Sequence, residues 1–244
     1  MKICRFEYKN KVKTGVLEAE YGKVIVDDTK EVVAISYVKM LLPTVPTKIV
    51  CVGRNYAEHA KELGNEVPTE PLLFLKANST LILHEENIVI PPQSAQVEHE
   101  GELAVVIGRT CKNIGNNENP LDYILGYTCL NDVTARDVQR KDVQFTRGKS
   151  FDTFCPILNF IETDLDVSDL RVQTRVNGII KQDGRTSQMV FDIPFLVRYI
   201  SNQMTLNAGD IIATGTPSGV SKMVAGDICE VEIEGIGILR NNVV

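Results

Sequence analysis

Two acidic residues, Glu100 and Glu102, stand directly before Leu103–Ile107, an apolar run that is typical of a buried strand. Because side chains alternate along a strand, both carboxylates would point to one face, where like charges repel unless a cation lies between them. A hard divalent metal ion takes oxygen ligands of this kind and keeps positions for water or substrate. The pair therefore predicts part of a metal site, with a solvated acidic strand end as the alternative.

A third acidic residue, Asp132, follows another strand-like run, Gly126–Asn131. Together with the first two carboxylates it would complete a triad of metal ligands. The next segment, Val133–Gln139, is typical of a turn into a helix, and Asp132 or Thr134 could instead cap that helix. The sequence leaves both roles of Asp132 open.

A candidate general base lies upstream, in Cys51–Glu62, which reads as a strand end, a glycine turn and a short helix. His59 and Glu62 are three residues apart, so on a helix they share a face, and the carboxylate can orient the imidazole and raise its basicity. Gly64 and Asn65 would end the helix. An ordinary polar pair on a surface helix is the alternative.

A series of short motifs resembles the fumarylacetoacetate hydrolase family, most closely its small acylpyruvase and oxaloacetate decarboxylase or tautomerase branch. The resemblance covers nearly everything from Lys48 to the C-terminus. The motifs are Gly53-Arg54-Asn55-Tyr56, Phe74-Leu75-Lys76, Glu100-Gly101-Glu102-Leu103, Asn131-Asp132-Val133-Thr134-Ala135-Arg136-Asp137, Lys149-Ser150-Phe151-Asp152, Asp183-Gly184-Arg185-Thr186-Ser187 and Thr214-Gly215-Thr216-Pro217-Ser218-Gly219-Val220.

The resemblance implies that Glu100, Glu102 and Asp132 bind Mg²⁺ or Mn²⁺, and that His59 and Glu62 form a dyad on a mobile lid. An all-oxygen site also accepts Ca²⁺. The implied fold is α+β, with a large, mixed and curved β-sheet (a β-roll or half-barrel), few helices and the site at strand ends and loops. A homodimer is implied as well.

The chemistry that follows is that of a 2-oxo acid, such as an acylpyruvate or oxaloacetate, which chelates a metal through its carboxylate and 2-oxo oxygens. His59 would activate water for C–C hydrolysis or shuttle a proton for tautomerisation, whereas decarboxylation needs no activated water. Lys149 is a candidate to balance enolate charge, or a structural ion-pair partner.

Five residues are candidates for binding the substrate. Arg136 and Gln139, three apart on one helical face, suit a far carboxylate or carbonyl. Thr216 lies in a turn rich in backbone donors that could hold a carboxylate, with an ordinary tight turn as the alternative. The resemblance adds Arg54 and Tyr56 of the Gly-Arg-Asn-Tyr motif.

The substrate itself stays open, because the sequence departs from the family pattern at Ala77-Asn78-Ser79 and at Arg185, which we expect near the pocket rim. Isomerisation of a 2-hydroxyhepta-2,4-diene-1,7-dioate in aromatic-acid breakdown is an alternative activity. A metal-binding family member without activity is the alternative outside enzymes.

Composition agrees with a cytoplasmic enzyme. The 244 residues are 43% hydrophobic and carry a formal charge of -6, which argues against nucleic-acid and anionic-membrane partners. The six cysteines have no C-x-x-C spacing and read as reduced core thiols. We find neither a signal-peptide pattern nor a run long enough to span a membrane.

Two parts are expected along the chain: a small β-rich N-terminal domain over residues 1–44 and a catalytic domain over residues 48–244, separated at Pro43 and Pro46. Strands dominate both parts. The clearest helix runs from about Ile193 to Gln203, behind Pro194 in its first turn. Its apolar stripe of Phe195, Leu196, Tyr199 and Ile200 predicts core packing.

Overall fold

Strands account for most of the regular structure in the computed structural model, which describes residues 1–244. The strands are β1 (Lys2–Tyr8), β2 (Lys11–Glu18), β3 (Lys23–Val26), β4 (Val32–Ala34), β5 (Lys39–Leu41), β6 (Ile49–Gly53), β7 (Leu72–Lys76), β8 (Leu81–Leu83), β9 (Asn87–Ile88), β10 (Val97–Glu98), β11 (Gly101–Ile107), β12 (Ile124–Asn131), β13 (Thr134–Ala135), β14 (Cys155–Ile157), β15 (Phe160–Glu162), β16 (Arg171–Val176), β17 (Ile179–Arg185), β18 (Ile211–Ala213), β19 (Ile228–Ile233) and β20 (Gly237–Val243). The α-helices are α1 (Ala57–Glu62), α2 (Arg136–Lys141), α3 (Thr146–Lys149) and α4 (Ile193–Gln203).

The strands form one large curved sheet, a smaller sheet and a separate pair. The large sheet has the order β4-β3-β2-β1-β15-β12-β11-β18-β6-β7, with β5 beside β1 and with β14 beside both β12 and β8. The smaller sheet has the order β17-β16-β19-β20-β9, and β10 pairs with β13. Most pairs are antiparallel, but β6 with β18, β8 with β14 and β9 with β20 are parallel. The predicted α+β fold with a mixed curved sheet and few helices is confirmed.

Strand β11 is buried on both faces, which explains why its residues from Leu103 to Ile107 are continuously apolar rather than alternating. Leu103 and Val105 belong to the main core, which also holds residues of the smaller sheet such as Val172. Ala104, on the opposite face, packs in a second cluster with Leu130 of β12. The site-bearing strand is therefore held from both sides.

The N-terminal segment joins the same sheet and the same core. Strand β1 pairs with β15 in antiparallel register, with Cys4 opposite Phe160. Cys4, Phe6 and Val24 are fully buried within the main core. Strands before and after residue 44 therefore belong to one sheet. Whether residues 1–44 form a separate domain stays a prediction.

Helix α4 has the predicted limits, and its capping explains where it begins. The Asp192 Oδ1 accepts a hydrogen bond from the backbone N–H of Phe195 at 2.8 Å, and a proline stands in the first turn. Leu196 and Ile200 are buried as predicted. Phe195 is instead 45% exposed, because the buried face of the helix is formed by Ile193, Leu196, Val197 and Ile200, and its ring stacks on Phe191 and Tyr199.

The segment after Asp132 differs from the predicted direct turn into a helix. The short strand β13 intervenes, and α2 begins after Ala135 without any side-chain cap. Asp132 is therefore not a helix cap, which leaves its carboxylate for another role.

The prediction of reduced core thiols agrees with the structure, in which all six cysteines are buried and unpaired. None of the helices has both the length and the apolarity needed to cross a bilayer.

Phe6→Ala tests whether the N-terminal strands and the site share one core. We expect the mutation to lower the free energy of unfolding of the whole chain by about 3–5 kcal/mol, the usual cost of truncating a buried phenylalanine. Denaturant unfolding followed by circular dichroism measures it. Tyr37→Ala is the control, since Tyr37 is 77% exposed. A shift confined to a separate minor transition, with the main one unmoved, would show that residues 1–44 unfold as an independent domain.

Candidate active site

The pairing of β11 with β12 brings the three predicted metal ligands together. Gly101 stands opposite Asn131 in the ladder, and the backbone N–H of Asp132 donates to the carbonyl of Glu100 at 2.9 Å. One carboxylate oxygen from each of Glu100, Glu102 and Asp132 lies within 4.8 Å of the other two, and all three residues are buried. Glu100 and Glu102, two residues apart at the start of β11, therefore point to the same side, as the sequence predicts.

Two buried lysines compensate part of this negative charge. Lys149 Nζ donates to Glu100 Oε2 at 2.7 Å and to Asp132 Oδ2 at 2.6 Å. Lys76 Nζ lies at ion-pair distance, 2.7 Å, from Asp132 Oδ1 and donates to the carbonyl of Val133. Lys149 is thus an ion-pair partner of two predicted ligands, and it also faces the cavity described below.

Each of the three guanidinium nitrogens of Arg136 makes a hydrogen bond within the protein. Its Nε donates to Glu98 Oε2 at 2.7 Å, one terminal nitrogen donates to Gln139 Oε1 at 2.6 Å, and the other contacts Glu100. Both Arg136 and Gln139 line the cavity, but they are bonded to each other. The amide nitrogen of Gln139 has no protein partner and remains free for a ligand.

Glu102 is the one member of the triad without a cationic partner. Its Oε2 accepts a hydrogen bond from the backbone N–H of Gly215 at 2.8 Å, and no lysine or arginine lies within ion-pair distance. Burial, and then the charges of Asp132 and Glu100, raise the pKa of Glu102 well above its ordinary value. A buried carboxylate in this position fits a bound divalent cation, which would supply the missing positive charge.

Glu100 has the opposite electrostatic environment. Burial disfavours its charged form, but Lys149 and Arg136 outweigh that effect and hold the pKa of Glu100 well below its ordinary value. The pKa values of Glu100 and Glu102, two neighbouring carboxyl groups of the same triad, are therefore shifted in opposite directions.

The histidine–glutamate pair on α1 forms as predicted. His59 Nδ1 lies 3.2 Å from Glu62 Oε2, and the ring nitrogen Nε2 has no partner within the protein. Glu62 Oε1 also accepts a hydrogen bond from the backbone N–H of Gly219 at 3.0 Å. Because one carboxylate is bonded to both, the turn that contains Gly219 fixes the orientation of the imidazole.

The triad and the histidine open onto one cavity of about 310 Å³. Phe74 and Phe145 form part of its wall in an edge-to-face pair, with ring centroids 5.5 Å apart. The polar lining consists of Arg54, His59, Asn65, Glu100, Glu102, Asp132, Arg136, Gln139, Arg140, Asp142, Lys149 and Thr216. A small molecule in this cavity would reach the carboxylates and the imidazole together.

Of the three remaining residues predicted to bind the substrate, Arg54 and Thr216 line the cavity and Tyr56 does not. Arg54 lines the cavity and has φ +58°, a strained conformation for a residue with a side chain. Thr216 also lines it, but its hydroxyl donates to the carbonyl of Gly101 and accepts from Gln182. Tyr56 faces a smaller neighbouring cavity, where its buried hydroxyl has no partner.

The two departures from the family pattern do not reach the cavity. Arg185 pairs with Asp169, with Nε 2.7 Å from Oδ1, and the Asn78 side chain donates to the carbonyl of Pro46. Their expected position at the pocket rim is therefore wrong. They lie on the smaller sheet and beside the Pro43–Pro46 linker, respectively.

Sequence reasoning missed Lys76, Gly215 and Arg140. A signal existed for Lys76, because a lysine that ends the apolar strand Leu72–Lys76 is expected to need a buried partner. No local pattern pairs Gly215 with Glu102, which is 113 residues away.

Glu102→Gln and Glu100→Gln should change the stability of the metal-free protein in opposite directions. The first removes a buried carboxyl group that has no cationic partner and is costly to bury whether it stays charged or takes up a proton, so we expect a gain on the order of 1–3 kcal/mol at neutral pH. The second removes one carboxylate partner from Lys149 and from Arg136, which keep Asp132 and Glu98 respectively, so we expect a loss of about 1–3 kcal/mol. Denaturant unfolding with a chelator present measures both, and Mn²⁺ calorimetry should show lost binding in each. Equal destabilisation by both variants would contradict the charge assignment.

Comparison with known proteins shows the family of the chain. The sequence model described as fumarylacetoacetate (FAA) hydrolase C-terminal matches residues 48–244. A mitochondrial oxaloacetate decarboxylase of Dictyostelium discoideum is 47% identical over 196 residues, which cover 78% of this chain and 89% of that protein. The oxaloacetate tautomerase YisK of Bacillus subtilis (strain 168) is 41% identical over 215 residues, covering 83% of this chain and 71% of that protein.

A solved structure extends the likeness to the whole chain. The crystal structure of 2-hydroxyhepta-2,4-diene-1,7-dioate isomerase from Mycobacterium marinum superposes with a TM-score of 0.90 at 39% identity, covering 100% of this chain and 98% of that one. The family match, these relatives and the shared fold lead to one conclusion: the chain belongs to the fumarylacetoacetate hydrolase family, in the branch whose relatives include oxaloacetate decarboxylases and tautomerases.

Proposed function

We propose that the chain is a divalent-metal-dependent enzyme that acts on 2-oxo acids with a 1,3-dicarbonyl group. The reactions would be decarboxylation or keto–enol tautomerisation of oxaloacetate, C–C hydrolysis of acylpyruvates, or more than one of these. One observation carries the proposal: a buried carboxylate triad with a single uncompensated member shares its cavity with an imidazole held by Glu62.

Glu100, Glu102 and Asp132 would hold the metal, Mg²⁺ or Mn²⁺, since carboxylate oxygens suit both ions. When bound, the ion would polarise the 2-oxo carbonyl and stabilise negative charge that develops on its oxygen. Lys149 and Lys76 would keep the ligands ionised and in place, because each lies at ion-pair distance from a triad carboxylate.

His59 would move the proton. With Nδ1 held by Glu62, its Nε2 faces the cavity and can accept a proton from water, for hydrolysis, or from carbon, for tautomerisation. Loss of CO₂ needs no such acceptor. The aromatic wall of Phe74 and Phe145 would limit the water around the reacting carbons.

The named relatives support oxaloacetate as a substrate, because the decarboxylase and the tautomerase cover most of the chain. A second candidate is isomerisation of a 2-hydroxyhepta-2,4-diene-1,7-dioate, favoured by the likeness to the Mycobacterium marinum isomerase. An inactive metal-binding protein is disfavoured, since both the triad and the dyad are assembled. The homodimer implied by the family stays a prediction that light scattering would check.

Purified protein with Mg²⁺ should be assayed against oxaloacetate, acetylpyruvate and fumarylpyruvate. Keto–enol absorbance and pyruvate release are followed separately, so that tautomerisation is distinguished from cleavage or decarboxylation. A chelator should abolish the catalysed rate, and added Mg²⁺ should restore it. Absence of turnover on all three substrates, with Mg²⁺ bound, would contradict the proposed function.

His59→Ala should reduce acylpyruvate hydrolysis and tautomerisation about a hundredfold or more, the usual size of a general-base contribution. Decarboxylation should fall much less, because it needs no proton acceptor in the step that releases CO₂. Glu62→Gln should give a milder form of the same pattern by weakening the orientation and basicity of the imidazole. Steady-state rates on all three substrates provide the measurement.

Two controls separate this effect from loss of folding. Glu58→Gln changes an exposed glutamate of the same helix that pairs only with Lys61, and His84→Ala removes a histidine outside the cavity. Neither should alter the ratio of the rates. Uniform losses across all reactions in His59→Ala would show that His59 acts through substrate binding or closure instead.

The segment from Tyr56 to Pro71 should become more ordered when a 2-oxo acid analogue binds. The side chains of this segment make few bonds to the rest of the chain, chiefly that of Glu62 to Gly219 and that of Glu70 to Tyr199. Hydrogen exchange in this segment should slow at least several-fold when oxalate is added with Mg²⁺. Strong and equal protection with and without oxalate would indicate a fixed helix and loop rather than a lid.

A further inference from the structure

The cationic side chains around the cavity fall into two groups. Arg136 and Lys149 are buried and bonded to carboxylates of the protein, so their positive charges already have negative partners. Arg54 and Arg140 also line the cavity but lack a carboxylate partner. Arg140 makes one long contact, 3.5 Å from a terminal nitrogen to Gln96 Oε1.

The acidic residue nearest to Arg140 along the chain is already paired with another arginine. Asp142, in the cavity lining, receives hydrogen bonds from Arg147, with Nε 2.6 Å from Oδ2. The part of the cavity formed by α2 therefore has a positive charge without a partner, whereas the triad end is negative. A ligand complementary to this distribution would carry an anionic group at the end remote from the triad.

Helix α2 fixes the distance between the triad end of the cavity and its positively charged end. Arg136, Gln139 and Arg140 stand at positions i, i+3 and i+4, and all three line the cavity. Arg136 contacts Glu100, so the backbone of Arg140, four residues further along the helix, lies about 6 Å along the axis from a residue anchored at the triad. That spacing is comparable to the length of a short dicarboxylic acid.

We propose that Arg140 is a specificity residue that binds the second carboxylate of dicarboxylic 2-oxo acids. The proposal rests on the proposed function, which places the 2-oxo acid group of the substrate at the triad. A planar guanidinium donates two parallel hydrogen bonds to a carboxylate, so Arg140 would favour dicarboxylic acids over acids with a neutral tail.

Arg140 is better placed for this role than Arg54. Helix α2 is tied to Glu98 and Glu100 through Arg136, so Arg140 projects from a fixed element. Arg54 instead immediately precedes the segment that carries His59 and that we expect to move. A residue that selects substrates by the position of their second carboxylate must lie at a constant distance from the metal ligands.

A pair of unreactive acids tests the proposal without turnover. Malate and lactate share a 2-hydroxy acid group, and malate alone has a second carboxylate at the far end. With Mn²⁺-loaded protein, calorimetry should show malate bound about tenfold to a hundredfold more tightly than lactate, as expected for a charge-assisted hydrogen bond. Arg140→Gln should reduce this ratio toward one, and Arg140→Lys should give an intermediate ratio.

Lys141→Gln is the matched control, because it removes one positive charge from the same helix at a residue outside the cavity lining. It should keep the wild-type ratio. An unchanged ratio in Arg140→Gln, or a ratio lowered by Arg54→Gln alone, would overturn the assignment. Equal wild-type affinity for both acids would overturn it while leaving the proposed function intact, whereas failure to bind either acid would count against the proposed function itself.

Discussion

Mutual repulsion among three buried carboxylates is the constraint around which the rest of this structure is arranged. Glu100, Glu102 and Asp132 lie too close together to stay ionised without positive charge beside them. The fold brings cations from three separate segments, since Lys76 ends β7, Arg136 begins α2 and Lys149 ends α3. These contacts compensate Glu100 and Asp132 and leave Glu102 as the place where an added cation is most strongly favoured.

The parts of this site that could be predicted are those whose residues lie close together in the sequence. Glu100 and Glu102, at the start of β11, and the His59–Glu62 pair follow from the periods of strand and helix, which depend only on neighbouring residues. The role of Arg136 is not local, because three partners from β10, the start of β11 and its own helix occupy its guanidinium. A motif places such a residue at a site, but only the packed structure shows whether its donors are free.

The sheet and the long helix were predictable for the same reason, and details of their surroundings were not. Helix α4 has a proline and a capping aspartate next to its apolar stripe, so its limits could be read directly. The exposure of Phe195 was not predicted, because the packed face of the helix runs through Ile193, Leu196, Val197 and Ile200 and leaves Phe195 at its edge. Likewise, the glycine-rich turn after β18 was expected to hold substrate, whereas its Gly215 and Gly219 N–H groups bind Glu102 and Glu62.

The N-terminal strands have a consequence for the behaviour of fragments of this chain. Every residue of the site lies within 48–244, the region matched by the family, so that region by itself looks sufficient for activity. Yet β15 lies between β1 and β12, and without residues 1–44 the backbone groups of Phe160–Glu162 that pair with β1 would form a bare sheet edge. Bare edges recruit strands from other molecules and promote aggregation. Strand β1 therefore covers this edge, and we expect a chain shortened to residues 48–244 to associate with itself although its candidate site residues are complete.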